Sequence, residues 1–104
     1  MPYGLTEIEL EKLQSVFARV TKLKEVILFG SRAKGTFKPF SDVDITLVGD
    51  ELTRTDLNQV FRDLDDLLLP YQFDVSLWSN LKNEALLDHI KRRGIVIYQK
   101  ECNS

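Results

Sequence analysis

Two carboxylates within one apolar segment constrain the fold of this chain more than any other feature. Residues 42–48 read Asp-Val-Asp-Ile-Thr-Leu-Val, so Asp42 and Asp44 alternate with the apolar residues at 43, 45 and 47. A period of two residues is that of a β-strand, which places the two carboxylates on one face and the apolar side chains on the other. Like charges about 7 Å apart on a half-buried strand are unfavourable unless a cation lies between them. We therefore expect a strand with a core on one face and a divalent-cation site on the other.

The rest of the chain alternates between helical and strand patterns. The predicted elements are a helix opened by a Thr6–Glu9 capping box, a strand Glu25–Phe29, a helical turn that Ser31 caps and Gly35 ends, the strand Asp42–Val48, a helix from Thr53 or Thr55 through Leu68 stopped by Pro70, a strand Gln72–Trp78, a helix capped by Ser79 or Asn80 and ended by Gly94, and a strand Ile95–Tyr98. The first two strands are close enough for hairpin-like pairing, and full helices separate the later ones. The sequence thus predicts an α/β (α+β) fold, a mixed β-sheet with helices packed mainly on one face.

Composition limits the function classes. The 104 residues suit one domain, 1–104, with a polar C-terminal tail at about 99–104, and a net charge of −2 gives no general attraction to nucleic acid or an anionic membrane. The single cysteine, Cys102, excludes an internal disulfide and a cysteine-based zinc site. There is no basic region followed by an apolar core at the start, and no apolar run of about 20 residues. We expect a cytoplasmic protein.

A third aspartate, Asp74, interrupts the next strand pattern in the same way. Buried carboxylates are costly without a partner, and oxygen ligands without histidine or cysteine favour Mg²⁺ or Mn²⁺. Because Mg²⁺ commonly shares its ligands with substrate phosphates, the set predicts a phosphate-bearing substrate. The turn at Gly30-Ser31 offers backbone N–H groups and a hydroxyl to an anion. It is not a P-loop, since Thr36-Phe37 replaces the Lys-Ser/Thr pair.

Taken together, Gly30-Ser31, ten intervening residues, Asp42-Val43-Asp44 and the later Asp74 closely resemble the nucleotidyltransferase superfamily that includes DNA polymerase beta. The span from Gly30 to Gly35 with Ser41–Asp44 looks most like its minimal nucleotidyltransferases. The resemblance implies a mixed-sheet palm and transfer of a nucleoside monophosphate, AMP from ATP or that of another nucleoside triphosphate, to an acceptor hydroxyl with release of pyrophosphate.

The resemblance also implies roles for the residues of the motif. Asp42 and Asp44 would bind the metal that holds the triphosphate, and both would share a second Mg²⁺ with Asp74, which would also orient or deprotonate the acceptor hydroxyl. Gly30 and Ser31 would bind the β- and γ-phosphates. Arg32 and Lys34 would neutralise charge on the leaving pyrophosphate, or they are only exposed loop cations.

The implied partner is a HEPN-domain protein, and the chain would be the antitoxin that adenylylates a tyrosine of this HEPN toxin. Larger superfamily members hold the acceptor with a further domain, so we expect another subunit or protein to complete the acceptor site here; a homo-oligomer is also open. Two alternatives stand beside this reading. One is transfer to a small-molecule hydroxyl, as in aminoglycoside-modifying relatives, and the other is a catalytically silent module that binds its partner.

Overall fold

The computed structural model describes residues 5–35 and 42–100. Its elements are α1 (Glu7–Ala18), β1 (Glu25–Phe29), α2 (Ser31–Lys34), β2 (Val43–Val48), α3 (Arg54–Asp65), β3 (Phe73–Leu77), α4 (Glu84–Arg93) and β4 (Ile95–Gln99), with a 3₁₀ turn at Trp78–Asn80. The order of helices and strands is the predicted one. The predicted loop at 36–41 and most of the predicted polar tail lie outside the described residues.

The four strands form one mixed sheet in the order β3-β2-β1-β4. β1 runs antiparallel to both β2 and β4, whereas β2 and β3 are parallel. The antiparallel pair is the hairpin-like pairing expected between the first two strands. The parallel pair needs a crossover, which α3 provides. The predicted mixed sheet is therefore confirmed.

The two faces of the sheet differ as the alternation in β2 predicts. Val43, Ile45 and Leu47 are buried, and they join the hydrophobic core to which α1 and α3 contribute Leu13, Val16, Phe17, Val60 and Leu64. Asp44 and Thr46 lie on the opposite face. Burial of apolar surface between this sheet and the two helices is the main stabilising contribution, at roughly 25 cal/mol per Å².

The helix α4 packs elsewhere. Ile90 is 1% exposed yet does not belong to the core cluster, and a side chain at Gly94 would meet Ile27, which faces away from that core. α4 therefore covers part of the opposite face beside β1, while α1 and α3 keep the helices mainly on the core face.

Both long helices begin with capping boxes. Thr6 and Glu9 exchange side-chain and backbone hydrogen bonds at the start of α1, as predicted. Of the two candidate caps of α3, Thr53 is the correct one: its hydroxyl accepts the Asp56 N–H, and the Asp56 carboxylate accepts the Thr53 N–H.

Two predicted helix bounds are wrong. α3 ends at Asp65, five residues before Pro70, and Leu68 beyond it has a φ of 55° and is 88% exposed. α4 begins after Asn83, whose side chain accepts the Leu86 N–H, and not at Ser79 or Asn80. Those residues form the 3₁₀ turn with Trp78, which removes Trp78 from β3. In both places apolar residues extended the helical pattern into segments whose backbone hydrogen bonds are turn-like.

In the parts of the chain that the structure describes, no helix has the length and apolar character to cross a membrane.

Candidate active site

The turn after β1 contacts the carboxylate of Asp44. Phe29, the last residue of β1, pairs with Asp44 across the antiparallel ladder, so Gly30 comes next to this side chain. Gly30 has a φ of +79°, and a Cβ atom placed on it would lie 2.4 Å from Oδ2 of Asp44. Only glycine satisfies both the left-handed backbone and the close approach. The predicted Gly30 turn and the predicted acid are therefore in direct contact.

Asp74 lies beside Asp44 on the neighbouring strand. The parallel register pairs Asp44 with Asp74, which places both side chains on the face away from the core, and adjacent strands are about 4.8 Å apart. The Val43 N–H donates to the Gln72 carbonyl at 2.8 Å, just before this pair. The register thus brings the third predicted acid next to the second.

The three aspartates interact electrostatically. Asp42 directly precedes β2 and is exposed, as is Asp74, whereas Asp44 between them is half-buried. Burial raises the pKa of Asp44 above the usual 3.8, and the negative charges of Asp74 and then Asp42 raise this pKa further. The two exposed carboxylates therefore lie close enough to Asp44 to disfavour its ionisation.

Hydroxyl groups below the carboxylates connect the same two strands. Thr46 is 0% exposed, and its hydroxyl donates to the Ser76 carbonyl at 3.4 Å. The Ser76 hydroxyl donates to the Ile45 carbonyl, also at 3.4 Å. These long hydrogen bonds join β2 to β3 one step below the acid pair. Our sequence reasoning missed them, although a polar residue two positions after each of Asp44 and Asp74 was a usable signal.

Arg32 is placed differently from a loop cation. Its side chain is 2% exposed, and its guanidinium carbon lies 4.6 Å from the centroid of the Tyr71 ring. The Tyr71 hydroxyl donates to Oε1 of Glu9 at 3.1 Å. Tyr71 and Glu9 were not among the predicted site residues. The other predicted phosphate contacts, Ser31 and Lys34, lie in α2, but their side chains are outside the described part of the structure.

The carboxylate oxygens of this site are ligands of the type that magnesium prefers, but the described side chains do not form a complete metal-binding site by themselves. Among the described residues, no three His, Cys, Asp or Glu side chains are grouped closely enough to hold a metal by themselves. The available donors at Asp42, Asp44 and Asp74 are all carboxylates, and their mutual repulsion is what a divalent cation relieves. Mg²⁺ usually takes one or two carboxylates and completes its shell with water and substrate phosphates. The geometry is compatible with a metal that arrives with a nucleotide.

Comparison with known proteins identifies the family. The sequence profile described as "Polymerase beta, Nucleotidyltransferase" matches residues 11–103. The chain is 30% identical over 97 residues to the "Probable protein adenylyltransferase MntA" of Haemophilus influenzae, a match that covers 89% of this chain and 82% of that protein.

Solved structures show the same fold. A chain of a toxin–antitoxin complex crystallised with AMP-PNP superposes with a TM-score of 0.71 at 21% identity, over 88% of this chain and 74% of that one. A chain from the complex of the tri-AMPylated HEPN toxin of Shewanella oneidensis with its MNT antitoxin gives a TM-score of 0.67 at 18% identity, over 90% and 72%. The chain therefore belongs to the polymerase beta nucleotidyltransferase family and is homologous to the MntA antitoxins of HEPN toxin–antitoxin pairs.

Proposed function

We propose that this chain transfers AMP from ATP to a hydroxyl group of a HEPN-domain toxin, and that it silences the toxin as the antitoxin of the pair. The observation that carries the proposal is the contact of the Gly30 turn with Asp44, which in turn lies beside Asp74. Paired carboxylates suit a magnesium that is shared with substrate phosphates, and a glycine turn beside them lets those phosphates approach the backbone closely.

Each side chain has a role in this proposal. Asp42, Asp44 and Asp74 would hold one or two Mg²⁺ ions, which when bound supply positive charge to the attacking and leaving oxygens. Asp44 is the most constrained of the three because it is half-buried on an interior strand of the sheet. Asp74, exposed on an edge strand, is accessible to an acceptor hydroxyl that it would orient and deprotonate.

The turn residues would bind the triphosphate. Gly30 leaves no side chain between its backbone and Asp44, so phosphate oxygens can approach both. Gly30 and Ser31 would bind the β- and γ-phosphates, and Lys34 is a candidate for neutralising the pyrophosphate. Arg32 is poorly accessible for this role, since only 2% of it is exposed. In the reaction the acceptor oxygen bonds to the α-phosphorus, the bond from that phosphorus to the bridging oxygen breaks, and pyrophosphate leaves.

The relatives support the choice of acceptor. The Haemophilus influenzae relative is described as a probable protein adenylyltransferase, and the Shewanella oneidensis complex contains a HEPN toxin that carries AMP groups. We infer that the acceptor of this chain is also a HEPN protein, encoded beside it, and that the modified residue is a tyrosine.

A labelling experiment tests the proposal. The purified chain is incubated with Mg²⁺, labelled ATP and the neighbouring HEPN protein, and label on that protein is expected. Asp44→Asn should remove the label, while Asp50→Asn should keep it because Asp50 is exposed beyond the opposite end of β2. Label on an added small molecule would favour transfer to a small hydroxyl compound. Stable binding to the HEPN protein without label would favour a silent binding module.

A further inference from the structure

Arg32 is buried although its place in the chain suggests a solvent-facing cation. It is the second residue of α2, directly after the Gly30-Ser31 turn, and it is 2% exposed. Its guanidinium carbon lies 4.6 Å from the Tyr71 ring centroid, within the distance of a cation–π contact. Such a contact restrains the guanidinium and, through it, the helical turn that carries Arg32.

Tyr71 is itself held from a second direction. Its hydroxyl donates to Oε1 of Glu9, and the same oxygen accepts the Thr6 N–H at 2.9 Å in the capping box of α1. The ring on which Arg32 lies is thus attached to the first turn of a helix that packs in the core.

Tyr71 also adjoins the strand that carries Asp74. The next residue, Gln72, accepts the Val43 N–H at 2.8 Å, and Asp74 lies two residues further on, beside Asp44. The Tyr71 ring therefore contacts the helical turn that follows Gly30, and it belongs to a residue two positions before β3.

We propose that Arg32 and Tyr71 are positioning residues that hold the Gly30 turn against Asp44, and that Arg32 acts through Tyr71 and not by direct contact with phosphate. The proposal rests on the nucleotidyl transfer proposed above. Among residues 5–35 and 42–100, no buried side-chain nitrogen or oxygen lacks a hydrogen-bond partner. Arg32 would have to give up its present contacts to reach a phosphate in solution.

Four variants separate positioning from phosphate binding. Tyr71→Leu removes the ring, Arg32→Lys keeps a charge but loses the planar guanidinium, and a double variant combines the two. Tyr71→Phe keeps the ring and loses only the hydroxyl. The control is Tyr98→Leu, because Tyr98 is another half-buried tyrosine, packed on Phe17 at a ring distance of 5.7 Å on the far edge strand.

If the two residues act by positioning, Tyr71→Leu and Arg32→Lys should each lower kcat/KM for ATP by about tenfold. The double variant should have a kcat/KM no lower than that of the less active single variant, because the effects of contacting residues are not additive. Tyr71→Phe should stay within about twofold of wild type and Tyr98→Leu should match it. Full activity in Tyr71→Leu, or additive losses in the double variant, would overturn the proposal. An increase of KM for ATP confined to the Arg32 variant would show that Arg32 contacts phosphate directly.

A readout that needs no catalysis distinguishes this inference from the proposed reaction. The backbone amide resonance of Gly30 should shift in Tyr71→Leu and Arg32→Lys and stay in place in Tyr98→Leu. If wild type transfers no label while these shifts occur, the proposed reaction fails and the positioning contact stands. An unmoved Gly30 resonance in an active, folded Tyr71→Leu variant would exclude the contact as a positioning device.

Discussion

Replacing Gly30 with alanine perturbs the proposed site at the contact between its two halves. The alanine would have to adopt a φ of +79°, and its Cβ would lie 2.4 Å from Oδ2 of Asp44, where ordinary contacts begin at 3.4 Å. The carboxylate or the turn must therefore move by about 1 Å. We expect the Asp44 carboxylate to move, because the backbone of the turn is held between β1 and α2.

The magnitude follows from two separable costs. A left-handed backbone costs an alanine about 1–2 kcal/mol. The displaced carboxylate adds a loss in rate, because a misplacement of about 1 Å at a reacting group can cost about 100-fold. We therefore expect the Gly30→Ala variant to lose part of its folding stability and nearly all of its nucleotidyl-transfer activity.

Gly35→Ala is the matched control. Gly35 has a φ of +78°, and a Cβ there would meet nothing within 4 Å. It shares the backbone cost with Gly30→Ala and lacks the clash with Asp44. Both variants should lower the melting temperature, by roughly 4–8 °C per kcal/mol for a domain of this size.

Denaturation curves and transfer of label from ATP, measured side by side on both variants, give the test. Equal losses of stability with a rate loss confined to Gly30→Ala are expected. A Gly30→Ala protein that transfers at the wild-type rate would refute the idea that the turn and Asp44 work as one site, and so would an equal rate loss in Gly35→Ala.

Further changes test other parts of the molecule. Asp44→Asn should raise the melting temperature at neutral pH without metal, because a folded-state pKa above 3.8 means that ionised Asp44 opposes folding. The gain in melting temperature should vanish below about pH 3.8, where the carboxyl is protonated in both the folded and the unfolded state. Melting curves recorded over a range of pH test this. Leu68→Asn should stabilise the protein by up to about 1 kcal/mol in urea denaturation, since Leu68 has a φ of 55° and is 88% exposed. Thr53→Ala should cost about 1 kcal/mol by loss of the α3 cap, and Thr55→Ala, inside the helix, should change stability by less than about 0.5 kcal/mol in the same assay.

Each of these changes has an outcome that would contradict its reasoning. For Asp44, the contradicting result is a lower melting temperature at neutral pH, which would mean a structural role for the carboxylate. A destabilised Leu68→Asn would show that the leucine makes contacts that outweigh its backbone cost. Equal costs at Thr53 and Thr55 would show that the side-chain cap contributes nothing.

The sequence was informative where a local period decides the structure. The alternation in residues 42–48 correctly predicted which side of β2 faces the hydrophobic core, and the capping box at Thr6 correctly predicted the start of α1. Helix bounds were predicted less well where several residues can act as caps. Asn83 starts α4 in preference to Ser79 and Asn80, because a 3₁₀ turn takes up the residues that follow β3.

Contacts between distant residues were beyond such patterns. The pairing of Asp44 with Asp74 depends on a parallel register, which no local feature of either segment specifies. Arg32 is buried and contacts Tyr71, a residue far along the chain, and an arginine between a turn and a loop looks solvent-exposed when the sequence is read alone. The sequence motif predicted the three aspartates, but the residues that contact them could be identified only from the folded structure.

The parallel pairing of β2 with β3 has a consequence for how the molecule is made. The β1–β2 hairpin joins residues near in the chain, so it can form while synthesis is still under way, whereas β3 must wait for the α3 crossover because closing a long loop costs entropy. A nascent chain could thus bring Gly30 to Asp44 but not yet Asp74. The proposed transfer would not begin until β3 had paired with β2, so that only a completely folded chain would be active.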